Sequence, residues 1–538
     1  PAGPFVELAR LPPFTRTYTD ASMPSPRASY RVAAIGPGGL RGGATNVVTA
    51  YAIARAGYEL ATQTVPGVPF RTTLYGVVRH PVDVTGGPYP LVVFLHGNHG
   101  NCRPATGDDD CTTRTEHACT DPGSTTTPNA EGYVYLEESL AAQGFVAVSL
   151  SANALNCRDD FIPERTALIL EHLRRWVARS LPLDPGLLAA TDTTRTSLVG
   201  HSRGGEAVSQ VQTALRATPI AGVSLASVFA IGATDYHDNT PSGVPYLALL
   251  PGCDADVFDL QGARMVDRGA AAEDGEIKTH VLFVGTNHNF FNTEWRFDDD
   301  TGGMVCASAD RITAAAQRGG LEALLGAWLG IAVRGESVPA WLRNETGSPD
   351  WMDAWAGDDL DLREAYFAAD RVVVDDFSGS LTTNTLGLPV SMTGYTATAT
   401  CTGTCSGNFA HVAPGARLAW DTAMAVASFT SGDLDASGRA AISFRLASRA
   451  ATINNGTVTH DVTVRVRDAS GASVDVLLSS LGTSGGLRHL YPARDPLEVL
   501  ETFRLPISSI ASSIDVSSIA AIELAMPVAG HPRGSIWV

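Results

Sequence analysis

Gly200-His201-Ser202-Arg203-Gly204 places a serine at the centre of a Gly-x-Ser-x-Gly pattern, with the apolar run Ser197-Leu198-Val199 before it. A helix-compatible stretch, Gly204–Arg216, follows. In that setting the pattern describes a sharp strand-to-helix turn. The backbone is crowded there, so the positions two before and two after the serine must be very small. The turn lifts the hydroxyl above the sheet edge and aims a helix N-terminus at it. The chemistry this offers is nucleophilic attack by Ser202, with the backbone N–H of Arg203 as a donor to a developing oxyanion. A second donor is expected where the buried run Leu91–Leu95 ends in His96-Gly97-Asn98. There the backbone N–H of Asn98 is the candidate.

A serine hydroxyl needs a base, and the base needs an acid to orient it. Three histidines follow within the alternating region: His237, His280 and His288. His288 lies just past the last strong apolar run, at the carboxyl edge of the expected sheet, and is the candidate base. His280 begins a strand, and His237 comes too early. For the acid, Leu249–Asp256 offers two aspartates after a strand. Asp256, further around the loop, is the first choice, Asp254 the alternative and Asp235 the third. Each could equally cap a turn, the common role of Asp in such loops.

The order Ser202, Asp256, His288, together with the elbow and the strand ending in His96-Gly97, resembles the α/β-hydrolase superfamily. Within it the chain is similar to secreted bacterial esterases of the cutinase-like polyester hydrolase and platelet-activating-factor acetylhydrolase groups. The Gly252-to-Asp256 and Gly285-to-His288 stretches carry that likeness. It covers residues 70–330 and departs at the Asn101–Ala130 insertion and at Phe290, Phe291 and Trp295. The resemblance implies an α/β-hydrolase fold and acyl transfer through an acyl-enzyme on Ser202, with an ester as substrate and no cofactor. A peptidase or amidase with the same triad, and a non-catalytic glycan- or surface-binding protein on the same scaffold, are the alternatives.

The elements that must position these residues alternate. Strands are predicted at Leu74–Val78, Pro90–Leu95, Phe145–Leu150, Arg195–Val199, Leu225–Ile231, Tyr246–Leu250 and His280–Val284. Helices are predicted between them, the most amphipathic at Phe161–Ser180. This reads as an α/β class with a mostly parallel sheet and helices on both faces. After Asp370 the texture becomes short alternating runs rich in Ser, Thr, Val and Gly, which predicts an all-β sandwich, jelly-roll-like in its closing strands. The expected organisation is therefore an extended lead-in over 1–55, a catalytic region over 56–335, a connector over 336–370 and a β-sandwich over 371–538. For the last, binding to a glycan or polymer surface is one expectation and a purely structural role the other.

Composition bounds the partners. A net charge of −18 over 538 residues disfavours nucleic acid, and no apolar run reaches the roughly 18 residues of a membrane span. Eight cysteines, mostly in loop-like segments and without zinc spacing, suit disulfides and an oxidising compartment. Cys401 with Cys405, Cys253 with Cys306, and two bridges among Cys102, Cys111, Cys119 and Cys157 are the expected pairs. Secretion is the expected localisation, with a signal segment already removed from the Pro-Ala-Gly-Pro start. The acidic runs Asp108–Asp110 and Asp298–Asp300 raise a structural calcium as one reading and solvated loop charge as the other.

Overall fold

The computed structural model describes residues 7–10, 26–35, 41–44, 48–158, 160–401, 409–421, 425–449, 454, 459–481, 486–487, 497–526 and 533–538. Its centre is a nine-stranded sheet built from β1 (Ile53–Thr64), β2 (Arg71–Pro81), β3 (Tyr89–Leu95), β4 (Val146–Leu150), β5 (Thr191–His201), β6 (Leu225–Ile231), β7 (Tyr246–Pro251), β8 (Lys278–Phe283) and β9 (Leu362–Phe367). The strand order is β9-β8-β7-β6-β5-β3-β4-β2-β1. Strands β3 to β8 run parallel to one another.

Period-2 burial explains the layers. Along β3, Leu91, Val93 and Leu95 enter one core, and Val92 and Phe94 enter the other. The first core is closed by α2 (Ile162–Val177), α3 (Pro185–Ala190), α4 (Arg203–Ala217) and α5 (Gly262–Ala271). The second is closed by α1 (Val134–Ala142), α6 (Ala314–Arg334) and α7 (Asp350–Ala356). Each fully buried Leu, Val or Phe contributes about 1.5–3 kcal/mol to this packing. Helix α6 starts where the Thr313 side chain accepts from the Ala316 N–H, and it stops at Gly335 in the left-handed region (φ 70°).

The expected fold class is corrected by this sheet. It is mixed: β1 pairs with β2, β2 with β4, and β9 with β8, all antiparallel. The reason is visible in the connections. β1 and β2 are joined by the short turn over 65–70, which cannot carry the crossover a parallel pair requires. Strand β9 lies inside the segment read as a connector, and β1 begins inside the segment read as a lead-in. Further antiparallel pairs are Arg27–Tyr30 with Val48–Tyr51, and Cys102–Pro104 with Ser124–Thr126. In place of the mostly parallel sheet expected, the chain forms a mixed one, with six parallel strands flanked by antiparallel ones.

The second region holds β10 (Val390–Thr393), β11 (Tyr395–Cys401), β12 (Gly415–Trp420), β13 (Ala425–Leu434), β14 (Ala441–Ser448), β15 (Thr463–Asp468), β16 (Ser473–Leu477), β17 (Glu501–Pro506), β18 (Ile519–Met526) and β19 (Gly534–Trp537). They form two five-stranded antiparallel sheets, ordered β10-β13-β18-β15-β16 and β11-β12-β19-β14-β17. One core serves both, with Val464, Val466 and Leu524 from the first and Leu418, Phe503 and Ile536 from the second. Ten strands among the described residues thus pack as two facing sheets of five. Among the described residues of 371–538, the exposed large apolar side chains are Val372, Leu386 and Leu477, none aromatic.

The two regions meet through buried polar contacts. Arg363 in β9 donates to Glu501 in β17 at 3.0 Å, and the Tyr366 N–H donates to Thr502 at 3.0 Å. Asp267 in α5 receives His411 at 3.0 Å and Arg445 at 3.1 Å, together with the N–H groups of Val412 and Ala413.

Candidate active site

Ser202 stands between the end of β5 and the start of α4, with φ 58° and ψ −128°. A non-glycine residue held there costs roughly 1–3 kcal/mol and persists only where the surroundings dictate it. They do. A Cβ on Gly200 would sit 2.2 Å from the Gly204 carbonyl oxygen, and one on Gly204 would sit 2.3 Å from the carbonyl of Leu95. The Ser202 N–H is fixed on the Ile231 carbonyl at 2.8 Å, and the Ser202 carbonyl accepts from Gly205 at 2.8 Å. Ser202 itself is buried.

The strand end at 96–98 closes over it. A Cβ on Gly97 would lie 2.4 Å from that of Ser202, so only glycine fits beside this serine. His96 clamps this loop: its Nε2 accepts from the Ala152 N–H at 2.8 Å, so Nδ1 carries the proton and donates to the Gly97 carbonyl at 2.8 Å. Burial, then the nearby Arg165, pushes the His96 pKa down to about 3, which keeps the ring neutral. The Asn98 side chain accepts from the Cys157 N–H at 2.8 Å, while the Asn98 backbone N–H donates to no acceptor among the described residues. Below the loop, the wholly buried Arg165 of α2 donates to the Asn156 side chain at 2.7 Å, and Asn156 donates to the His99 carbonyl at 2.8 Å.

His288 and its acid come from the next two strand ends. His288 follows β8 through Gly285, which adopts φ 79°. Its Nδ1 lies 2.8 Å from an oxygen of Asp254, just past β7. The other Asp254 oxygen accepts from the N–H groups of Asp256 at 2.9 Å and Val257 at 2.7 Å. Gly232 (φ 47°) makes room for this pair: a Cβ there would meet Nδ1 at 3.1 Å and Asp254 at 3.2 Å. The disulfide Cys253–Cys306 ties the acid loop to the segment after His288.

The structure therefore corrects the choice of acid. Asp254, not Asp256, bonds Nδ1. The turn after β7 makes the nearer aspartate face inward, and the further one emerges with a side chain 58% exposed. Asp256 instead brings an oxygen to 3.4 Å from Nε2, a nitrogen that is buried and makes no hydrogen bond among the described residues. Burial opposes charge on His288, but Asp254, Asp256 and Asp299 overcome it and push its pKa up to about 10. Asp235 is placed elsewhere, paired with Arg268. His237 pairs with Glu206 at 3.0 Å, and His280 is buried in β8 with its ring centroid 5.4 Å from that of His411.

Sequence reading missed the aromatic wall. The Trp295 ring is stacked on His99 at 4.8 Å, with His201 at 4.6 Å and His288 at 6.2 Å. Its Nε1–H donates to Asn129 at 2.7 Å, and His201 meets the Tyr133 hydroxyl at 2.9 Å. Trp295 sits in the segment after His288 that had no readable pattern; its proximity to the base was the only available signal. The 101–130 insertion supplies Asn129 and is stapled by Cys102–Cys119 and Cys111–Cys157. Three of the expected disulfides are thus present; Cys405, and with it the Cys401–Cys405 pair, lies outside the described residues.

The acidic runs are engaged in loop structure. Asp109 pairs with Arg103 at 3.1 Å and Arg296 at 3.0 Å. Asp298 and Asp300 share Arg311, and Asp300 also accepts the N–H groups of Met304, Val305 and Cys306. Among the described residues, the metal-like grouping is Cys102, Cys119 and Asp121, and both of those cysteines are in a disulfide. No helix among the described residues is long and apolar enough to cross a membrane. No protein-family model matches the chain, and no curated protein matches it either.

Proposed function

We propose that the protein is a serine hydrolase of carboxylic esters, acting through an acyl-enzyme on Ser202. One observation carries this reading. His288, whose ring centroid lies 4.7 Å from that of His201, the residue before Ser202, has Nδ1 on a buried carboxylate at 2.8 Å and leaves Nε2 without a hydrogen bond among the described residues. That is the arrangement a general base needs, one nitrogen oriented and the other available.

In the proposed reaction Ser202 Oγ attacks the ester carbonyl while Nε2 takes its proton. Asp254 holds the imidazole and stabilises its charged form. The N–H groups of Arg203 and Asn98 receive the oxyanion, and loss of one such donor typically costs about 100- to 1,000-fold in rate. Nε2 then gives the proton to the leaving alcohol, and water repeats the sequence on the acyl-enzyme. The three disulfides support export to an oxidising compartment. For the β-sheet region a structural role is favoured, because its buried polar contacts bind it to β9 and α5.

Turnover of a short p-nitrophenyl ester, measured for the protein and for Ser202→Ala, tests the reading. A fall of about a millionfold toward background is expected for the variant. Equal rates in the two proteins would sink it, and a matched anilide measured alongside separates ester from amide preference.

A further inference from the structure

Most charged groups around the candidate site have partners among the described residues. Arg103 faces Asp109 at 3.1 Å and Glu294 at 2.8 Å, and Arg296 faces Asp109 at 3.0 Å. Arg311 is shared by Asp298 and Asp300. Asp299 accepts from the N–H groups of Ala255 at 2.8 Å and Asn289 at 3.1 Å, and its side chain is largely enclosed. The guanidinium of Arg203, the residue after the nucleophile, donates to the Arg158 carbonyl at 3.0 Å. The rings of His99 and His201 are driven toward the neutral form by burial. Asp254 is matched by His288.

Asp256 differs from all of these. Its side chain is 58% exposed, no arginine or lysine among the described residues is paired with it, and its carboxylate lies 3.4 Å from Nε2 of His288. In the proposed reaction Nε2 is the atom that hands a proton to the departing alcohol, so this carboxylate lies close to the leaving group at that step. We propose that Asp256 is a specificity-determining residue, which favours esters whose alcohol portion is cationic and disfavours those whose alcohol portion is anionic. This rests on the ester-hydrolase reading and adds to it a preference for the charge of the substrate.

The physical basis is Coulombic. A fixed negative charge at the leaving-group side attracts a cation and repels an anion, an effect that is largest at low ionic strength because the carboxylate is half-exposed. The balance around it reinforces the sign, since Arg311 answers two carboxylates and Arg103 and Arg296 are already spent on Asp109 and Glu294. Like-charge placement is also an effective way to reject a wrong substrate.

The test uses three acetate esters of similar size: a trimethylammonioethyl ester, its uncharged dimethylbutyl isostere and a sulfonatoethyl ester. The readout is kcat/KM at low ionic strength for the protein, Asp256→Asn, Asp256→Lys and Ser202→Ala, with circular dichroism to check folding. The cationic ester is expected to exceed the anionic one by about tenfold, equivalent to ~1.4 kcal/mol. Asp256→Asn should bring that ratio close to one, and Asp256→Lys should invert it. A ratio that does not move in either variant overturns the proposal while leaving the ester reading intact. No turnover of any ester above the Ser202→Ala level overturns both.

Discussion

Among the described residues stand two buried histidine–aspartate pairs of nearly equal length, and they are built for opposite ends. His288 meets Asp254 at 2.8 Å in the candidate site; His411 meets Asp267 at 3.0 Å where the β-sheet region docks on α5. Around His288 stand further carboxylates, Asp256 and Asp299, and the imidazole pKa is raised to about 10. At His411 burial comes first in lowering the pKa, and Arg445 supplies the cation that Asp267 needs. The hydrogen bonds agree. His411 Nε2 accepts from the Leu500 N–H at 2.9 Å, a bond only the neutral ring can make, whereas His288 Nε2 accepts nothing. The lesson is that a His–Asp contact alone does not define a catalytic pair. What distinguishes the two is whether the second nitrogen is spent.

The sharpest way to break the comparison is to make the same substitution in both acids. Asp254→Asn keeps an oxygen for the N–H groups of Asp256 and Val257, but presents an amide to Nδ1 and favours the wrong tautomer. A loss of about 10,000-fold in kcat is expected, with a small change in stability. Asp267→Asn removes the charge that faces Arg445 and weakens four donor contacts in the interior. It should cost about 3–5 kcal/mol, read as a lower urea midpoint, with kcat little altered. If Asp267→Asn abolished activity in fully folded protein, or if Asp254→Asn left kcat intact, the division of labour drawn here would be wrong.

How far the sequence carried this distinction depends on where its signals lay. Ser202, Gly200 and Gly204 were legible because a steric requirement writes itself into residue type. The strands β3 to β8 were legible because burial on both faces leaves continuous apolar runs such as Leu91–Leu95. The edges were not: β1 is half-exposed, with Tyr58 its one fully buried residue, and β9 hides charged Arg363 and Glu364 within a buried strand. Those edge strands make the sheet mixed. Asp254 and Asp256 were inseparable by type or spacing, since a two-residue difference in a turn is decided by backbone direction. Trp295, Arg165 and Asn129 act through contacts made far along the chain, which no local pattern records.

A smaller effect separates the two carboxylates that flank His288. With its pKa raised to about 10, the ring is protonated at neutral pH and must lose that proton to act as a base. kcat/KM is therefore expected to rise with pH through an alkaline limb. Asp256→Asn removes one of the charges that holds the proton, so the limb should move toward neutral pH, by about one unit. The pH–rate profile of this variant on an uncharged ester gives the answer. A limb that stays in place would mean that Asp254 alone sets the basicity of His288.

The smallest expected effect is on stability, and its sign differs between the two histidines. Native His288 holds a proton that an unfolded histidine releases above about pH 6.5. Its stabilisation is therefore complete below that pH and is lost as pH rises toward about 10. Native His411 is held neutral, so below about pH 6.5 the unfolded chain binds a proton the native chain refuses, and stability falls as pH falls. His96, His117 and His172 are likewise depressed by burial and add to the acid-side slope. The isolated contribution of His411 is thus a difference: between pH 6.5 and 5, His411→Gln should flatten the dependence of unfolding free energy on pH by at most ~1.4 kcal/mol per unit, the limit for one proton. His288→Gln should leave that acid side unchanged and flatten the alkaline side instead. If both variants flattened the same side, the two pairs would share one electrostatic character, and the contrast between a poised nitrogen and a spent one would fail.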